Sequence, residues 1–128
     1  MSDQSVLILG ASSDVAKELA YQYAEKGYNL LLAARDKRQM EDLCKDISIR
    51  FQVKCEPYEL DVTDRGSHEE FINALPSLPK ITVCLVGYLG DHDKAKTDAE
   101  EASKILETNY NGVVSILDPI ASKYESAK

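Results

Sequence analysis

Val6-Leu7-Ile8-Leu9-Gly10-Ala11-Ser12-Ser13-Asp14-Val15-Ala16 passes from four apolar residues, through a glycine and two serines, into a segment with apolar residues at helical spacing. The short apolar run bounded by turn residues reads as a buried strand. Val15, Leu19 and Tyr23, with Ala16, Ala20 and Ala24 beside them, predict a helix that starts immediately after it. A helix beginning at so tight a turn directs its unpaired N–H groups and positive dipole end at whatever lies above, which favours a pyrophosphate. Gly10 lets the backbone turn, and Ser12 and Ser13 offer hydroxyl donors. Asp14 and Ala16 stand where dinucleotide-binding loops often carry further glycines. The same residues therefore also fit an ordinary strand-to-helix turn with Ser or Asp as the helix cap.

Strand-like and helix-like runs keep alternating from there, without repeats or low-complexity linkers. The first helix stops at Lys26-Gly27, residues 30–34 form a second apolar strand, and Asp36 caps a helix with Met40, Leu43, Cys44 and Ile47 on one face. Residues 54–60 read as a shorter third strand, and residues 67–75 as a modest helix closed by Pro76 and Pro79. Residues 81–86 are the most continuously apolar strand, expected to be central. Beyond a polar loop two helices are predicted. One covers 97–108 with Ala99, Ala102 and Leu106 aligned; the other covers 109–124 with Val113, Leu117, Ile120 and Tyr124 aligned and a bend at Pro119.

This alternation predicts an α/β fold, a Rossmann-like doubly wound parallel sheet with four strands in the order 3-2-1-4. An apolar fourth strand with an undefended outer edge implies that the remainder of the sheet is missing from this chain. Residues 1–128 are accordingly expected to be one NAD(P)-binding domain, the N-terminal part of a longer protein.

Composition narrows the function classes. With 44% hydrophobic and 29% charged residues the chain has the balance of a soluble globular protein, and no apolar run approaches the roughly 20 residues of a membrane span. The short polar start leaves no room for a signal peptide, so a cytoplasmic location is expected. A formal net charge of −7 without any basic stripe argues against nucleic acid as a partner. Cys44, Cys55 and Cys84, odd in number and far apart in sequence, read as reduced and structural. Asp91-His92-Asp93 reads as a solvated loop, and no metal site is expected.

Over essentially its whole length the chain resembles the short-chain dehydrogenase/reductase family, through landmarks in the right order. Residues Gly10 to Ala16 are similar to the family's glycine motif in a variant form, with Asp14 and Ala16 replacing its second and third glycines. The resemblance implies that Gly10, Ser12, Ser13, Asp14 and Val15 lie against the cofactor. Asp61-Val62 is similar to the family's adenine-binding Asp-Val, and Asn109, in Thr108-Asn109-Tyr110-Asn111-Gly112, to the helix asparagine that helps hold a proton-relay water beside the catalytic lysine. The family's Asn-Asn-Ala-Gly after the fourth strand is replaced by Leu85-Val86-Gly87-Tyr88. Gly87 and Tyr88 are still implied to face the cofactor, but the asparagine hydrogen bonds between central strands are lost. Gly87-Tyr88-Leu89-Gly90-Asp91 together with Glu107-Thr108-Asn109-Tyr110 resembles, more narrowly, the reductase partners of decaprenylphosphoryl-β-D-ribose 2′-epimerase, which implies a ketoreductase acting on a glycosyl lipid or another activated sugar.

The family's catalytic serine and Tyr-x-x-x-Lys pair are expected beyond residue 128. Tyr124-Glu125-Ser126-Ala127-Lys128 fits that pattern literally, but only 14 residues separate Tyr124 from Asn109, too few for a strand bearing the serine. Tyr124 is expected to be a core or interface tyrosine.

At the tip of the second strand an acid would grip the ribose hydroxyls of NAD, whereas a cation accommodates the extra phosphate of NADP. The acid position is Ala34, followed by Arg35, so NADP is expected ahead of NAD, with Ser13 adding a hydroxyl. Read one residue later, Asp36 becomes the ribose acid. Two functions remain open: an NADP-dependent oxidoreductase interconverting a ketone and a secondary alcohol, with a small-molecule carbonyl or alcohol as substrate, and a non-catalytic nucleotide-binding sensor or scaffold. Homo-oligomers are expected through the face of Val113, Leu117, Ile120 and Tyr124, which in this family packs between subunits.

Overall fold

The computed structural model describes residues 4–86 and 96–126. They fall into two compact units, one of residues up to Leu60 together with Pro76–Leu85, the other of Asp61–Leu75 and the chain from Val86 onward.

The first unit contains β1 (Ser5–Leu9), α1 (Asp14–Glu25), β2 (Asn29–Ala34), α2 (Arg38–Phe51), β3 (Cys55–Glu59) and β4 (Ile81–Cys84). All strand pairs are parallel, in the order β3-β2-β1-β4, with Leu7 opposite Leu31 on one side and Thr82 on the other. This is the expected Rossmann-like sheet. Side chains alternate across a strand, so Val6, Ile8, Leu30 and Leu32 share one face, where they pack with Ala16, Ala20 and Ala24 of α1 and Met40, Cys44 and Ile47 of α2. Leu7, Leu9, Leu31 and Ala33 point the other way and are buried as well. A strand buried on both faces favours apolar residues along its length, which explains the continuous apolar runs; Ser5, at the start of β1, is a buried polar exception.

Two expectations need correction here. In α1 the three alanines form the buried stripe, because small side chains let the helix lie close to the sheet; Val15 is 63% exposed, and Leu19 and Tyr23 are half-buried. The fourth strand ends at Cys84, short of the expected residue 86, is half-buried, and is, with β3, one of the two outer strands among the described residues.

The second unit holds a 3-10 turn (Arg65–Ser67), α3 (His68–Ala74), α4 (Ala99–Leu106), a π-helical turn (Glu107–Asn111) and α5 (Gly112–Ser126). The expected break between residues 108 and 109 does not occur; the helix continues through the π turn, closed by the Gly112 N–H donating to the Glu107 carbonyl. The extra residue in that turn rotates α5 about the helix axis relative to α4. The buried stripe of α5 is Gly112, Ile116 and Ile120, while Val113, Leu117 and Tyr124 are only half-buried. Ala99, Ala102 and Leu106, aligned in the sequence, are exposed. His68 is buried at the start of α3, and its Nδ1 lies 2.9 Å from the Ser115 hydroxyl of α5.

Candidate functional site

The β1–α1 turn is built around Gly10, whose φ of +82° lies in the left-handed region where any side chain is strained. The N–H groups of Gly10 and Ala11 both donate to the Ala33 carbonyl at 3.0 Å, fixing the turn to β2 and removing those two donors from service to a ligand. Ser13, in extended conformation, is the helix cap, and its hydroxyl oxygen accepts from the Ala16 N–H at 3.1 Å. Having accepted at oxygen, that hydroxyl keeps its hydrogen to donate outward. Ser12, Ser13, Asp14 and Val15 are all exposed, and the first-turn N–H groups have no preceding helix carbonyl to bind. The donor set fits a pyrophosphate; the Asp14 carboxylate is the one like charge beside it.

At the tip of β2, Ala34 is buried and its carbonyl accepts from the Leu60 N–H at 2.8 Å, while Arg35 is exposed. Asp36 is engaged by its own neighbour. Its Oδ1 accepts from the Arg38 N–H at 3.0 Å and from Arg38 Nε at 3.1 Å, and its Oδ2 accepts from Arg38 Nη2 at 3.1 Å. The Arg38 guanidinium and N–H hold the Asp36 carboxyl below the usual carboxylate range. Asp36 thus satisfies the first N–H of α2 as expected, although the residue at the cap position is Lys37, which makes no side-chain capping bond. Nothing in the sequence pattern singled out Arg38; its signal was an arginine two residues after the acid, near enough to fold back on it.

In the second unit Val62 is buried, and the half-buried Asp61 accepts at Oδ1 from both the Thr63 N–H (2.9 Å) and the Thr63 hydroxyl (2.6 Å). Asn109 lies within the π turn, at an exposed position. The turn is clamped by Glu107, whose Oε1 is 2.9 Å from Arg65 Nε and whose Oε2 accepts from Asn111 Nδ2 at 3.0 Å. Gly112 comes next, pressed so closely on its surroundings that a Cβ there would stand 2.5 Å from the Val62 carbonyl oxygen and 2.9 Å from that of Glu107. Glycine at 112 therefore joins the Asp61-Val62 segment to the turn carrying Asn109, and sequence reasoning overlooked it. Gly112→Ala is expected to cost about 1–3 kcal/mol or more through overpacking, read as a lowered denaturant midpoint with unchanged slope; an unshifted midpoint would mean the two backbones part freely.

Gly87 and Tyr88 lie outside the described residues, as do Asp91-His92-Asp93 and Lys128. Among the described residues no group of three or more His, Cys, Asp or Glu side chains is placed to hold a metal, and no helix is long and apolar enough to cross a membrane.

A glycine turn leading from a parallel 3-2-1-4 sheet into an exposed helix N-terminus defines a Rossmann-like, nucleotide-binding class of α/β protein. The chain belongs to the short chain dehydrogenase family, whose model matches residues 4–127. It is 32% identical over 121 residues to a very-long-chain 3-oxoacyl-CoA reductase of Vanderwaltozyma polyspora, covering 90% of this chain and 35% of that protein. A crystal structure of a short-chain type dehydrogenase/reductase from Mycobacterium marinum is 29% identical with a TM-score of 0.78, over 94% of this chain and 50% of that one. A short-chain dehydrogenase from Sphingobium yanoikuyae in complex with NADPH, 22% identical, shares the fold at a TM-score of 0.80, over 97% of this chain and 49% of that one. The chain spans between 35% and 50% of the length of the first curated relatives it matches.

Proposed function

We propose that this chain is the NADP-binding part of a longer cytoplasmic oxidoreductase that interconverts a ketone and a secondary alcohol. The observation that carries the cofactor choice is the tip of β2, where Arg35 is exposed and the rival acid, Asp36, is held by Arg38. In this reading the first-turn amides of α1, with Ser12, Ser13, Asp14 and Val15 around Gly10, hold the pyrophosphate, and Arg35 binds the 2′-phosphate as a planar fork. Asp61 and Val62 bound the adenine, Gly87 and Tyr88 offer backbone to the cofactor, and Asn109 orders the proton-relay water. When bound, the nicotinamide supplies the hydride. The serine and the Tyr-x-x-x-Lys pair belong to the rest of the longer protein. The finer substrate reading, a glycosyl lipid or another activated sugar, rests on the sequence likeness at residues 87–91 and 107–110.

The experiment is carbonyl-dependent loss of reduced-nicotinamide absorbance by the whole protein, run beside NADPH binding. Turnover with a ketose-type substrate supports the proposal; tight binding without turnover on any carbonyl tested favours the sensor or scaffold.

Arg38→Ala isolates the part played by the Asp36 fork. Freed from its partner, Asp36 can turn to ribose hydroxyls, so the preference for NADPH over NADH should narrow by about two- to fivefold, as befits an exposed pair. A preference that widens instead would show that Arg38 repels NADPH in some other way.

The oligomer reading moves to another face. Within the helical run the exposed large apolar side chains are Leu106, Tyr110 and Val114, four residues apart and 57%, 64% and 50% exposed, whereas Ile120 of the expected face is buried. Burying an aliphatic side chain is worth about 1.5–3 kcal/mol, so the chain should sediment as more than a monomer, and Leu106→Lys with Tyr110→Lys should return it to one. A wild-type monomer at micromolar concentration would end this reading.

A further inference from the structure

Cys44 and Cys55 come from different elements, α2 and β3, and are 4% and 9% exposed. They meet in the fold, lining one pocket with their thiols in contact; the contact lowers the Cys44 thiol from its ordinary range and, with burial, raises that of Cys55. Both residues line a pocket of about 370 Å³ along the outer strand β3, shared with Glu41, Lys45, Ser48, Ile49 and Pro57. That volume lies in the range of small-molecule sites. The Ile49 side chain is 78% exposed and Pro57 lies in β3, so the wall beside the sulfurs is apolar. None of these residues has a part in the cofactor site.

We propose that Cys44 and Cys55 form a dithiol binding site for a soft, thiophilic electrophile carrying a small apolar group, of which a trivalent arylarsenical is the simplest case. The reaction of an arsenic(III) oxide R–As=O with two thiols forms two As–S bonds. It breaks the As–O bond and both S–H bonds, and the two protons leave with the oxygen as one water. No oxidation state changes, so no further reagent is needed. Cys44, whose thiol the contact with Cys55 lowers, is the first nucleophile, because the thiolate is the reactive form. Once it is bound, the second bond closes within one molecule, where effective concentration makes ring closure far more favourable than capture of a second arsenical. The apolar pocket receives the substituent R. Cys84, half-buried on β4, has no second cysteine beside it among the described residues and offers only a single, reversible bond.

The test is incubation of the native chain with one equivalent of phenylarsine oxide, read by intact mass and by subsequent alkylation. One arsenical should add with loss of one water, Cys44 and Cys55 should be protected from alkylation, and a small dithiol but not a monothiol should reverse the adduct. Cys84→Ser should bind as the wild type does, while Cys44→Ala and Cys55→Ala should each weaken binding by about a hundredfold or more, the loss expected when the ring cannot close. Circular dichroism of each variant separates loss of the site from loss of the fold. The proposal is overturned if the native chain takes no arsenical while the urea-unfolded chain does, or if the adduct forms equally well on a Cys44→Ala chain that keeps its fold.

Discussion

Asn109→Ala in the whole protein should, on the proposed function, lower turnover by about a hundred- to ten-thousandfold while leaving NADPH affinity almost unchanged. The expectation rests on placement. Asn109 lies in the π turn Glu107–Asn111, and such turns within a helix frequently mark functional positions, since the extra residue re-aims the backbone and side chain. Glu107 ties the turn to Arg65 and to its own far end at Asn111, so contacts within the chain support its geometry. In the proposed reading the Asn109 amide helps hold the proton-relay water, so its removal should act on the proton-transfer step, and turnover at saturating cofactor is the parameter to read. Tyr124→Phe supplies the contrast. Tyr124 is half-buried near the end of α5, and losing its hydroxyl should leave most of the activity. Comparable losses in the two variants would show that the proton relay has been placed on the wrong residue.

Arg35→Ala should weaken NADPH binding by about ten- to a hundredfold and leave NADH nearly unchanged, because hydrogen bonds to charged groups contribute roughly 1.5–3 kcal/mol. Only the 2′-phosphate distinguishes the two cofactors at this end, and Arg35 is exposed where β2 gives way to α2. Rising salt should erode the same difference, since an exposed charge pair is screened. Equal loss for both cofactors would remove Arg35 from this role.

Much of the first unit is legible in the residue order alone. Strands buried on both faces favour apolar residues, and Gly10 between such a strand and an amphipathic run leaves few alternatives to a tight strand-to-helix turn. The helix faces are less readable. In α1 the valine, leucine and tyrosine look more hydrophobic than the three alanines, yet the alanines face the sheet because close approach there depends on small side chains. In the second unit a π turn has no composition of its own: Glu107-Thr108-Asn109-Tyr110-Asn111 reads as a weak helix or as a break, and only the bond from Gly112 to Glu107 decides it. One inserted residue then shifts the buried face of the whole of α5, which is why the sequence pattern misses Ile116.

The site residues divide along the same line. Residues whose role is written in local order, Gly10, Ser13 and Asp36, can be found from the sequence. Arg38 as the partner of Asp36, Gly112 beneath the Val62 carbonyl and the meeting of Cys44 with Cys55 cannot, because each depends on where a second group lies in space.

The most direct measurement is a calorimetric titration of this chain with NADPH and, separately, with NADH, at low and at physiological salt. One NADPH should bind per chain, more tightly than NADH, with the margin shrinking as salt rises and nearly vanishing in Arg35→Ala. A folded chain that binds neither cofactor, or binds NADH more tightly than NADPH, would contradict the assignment of the β1–α1 turn and the β2 tip as an NADP site.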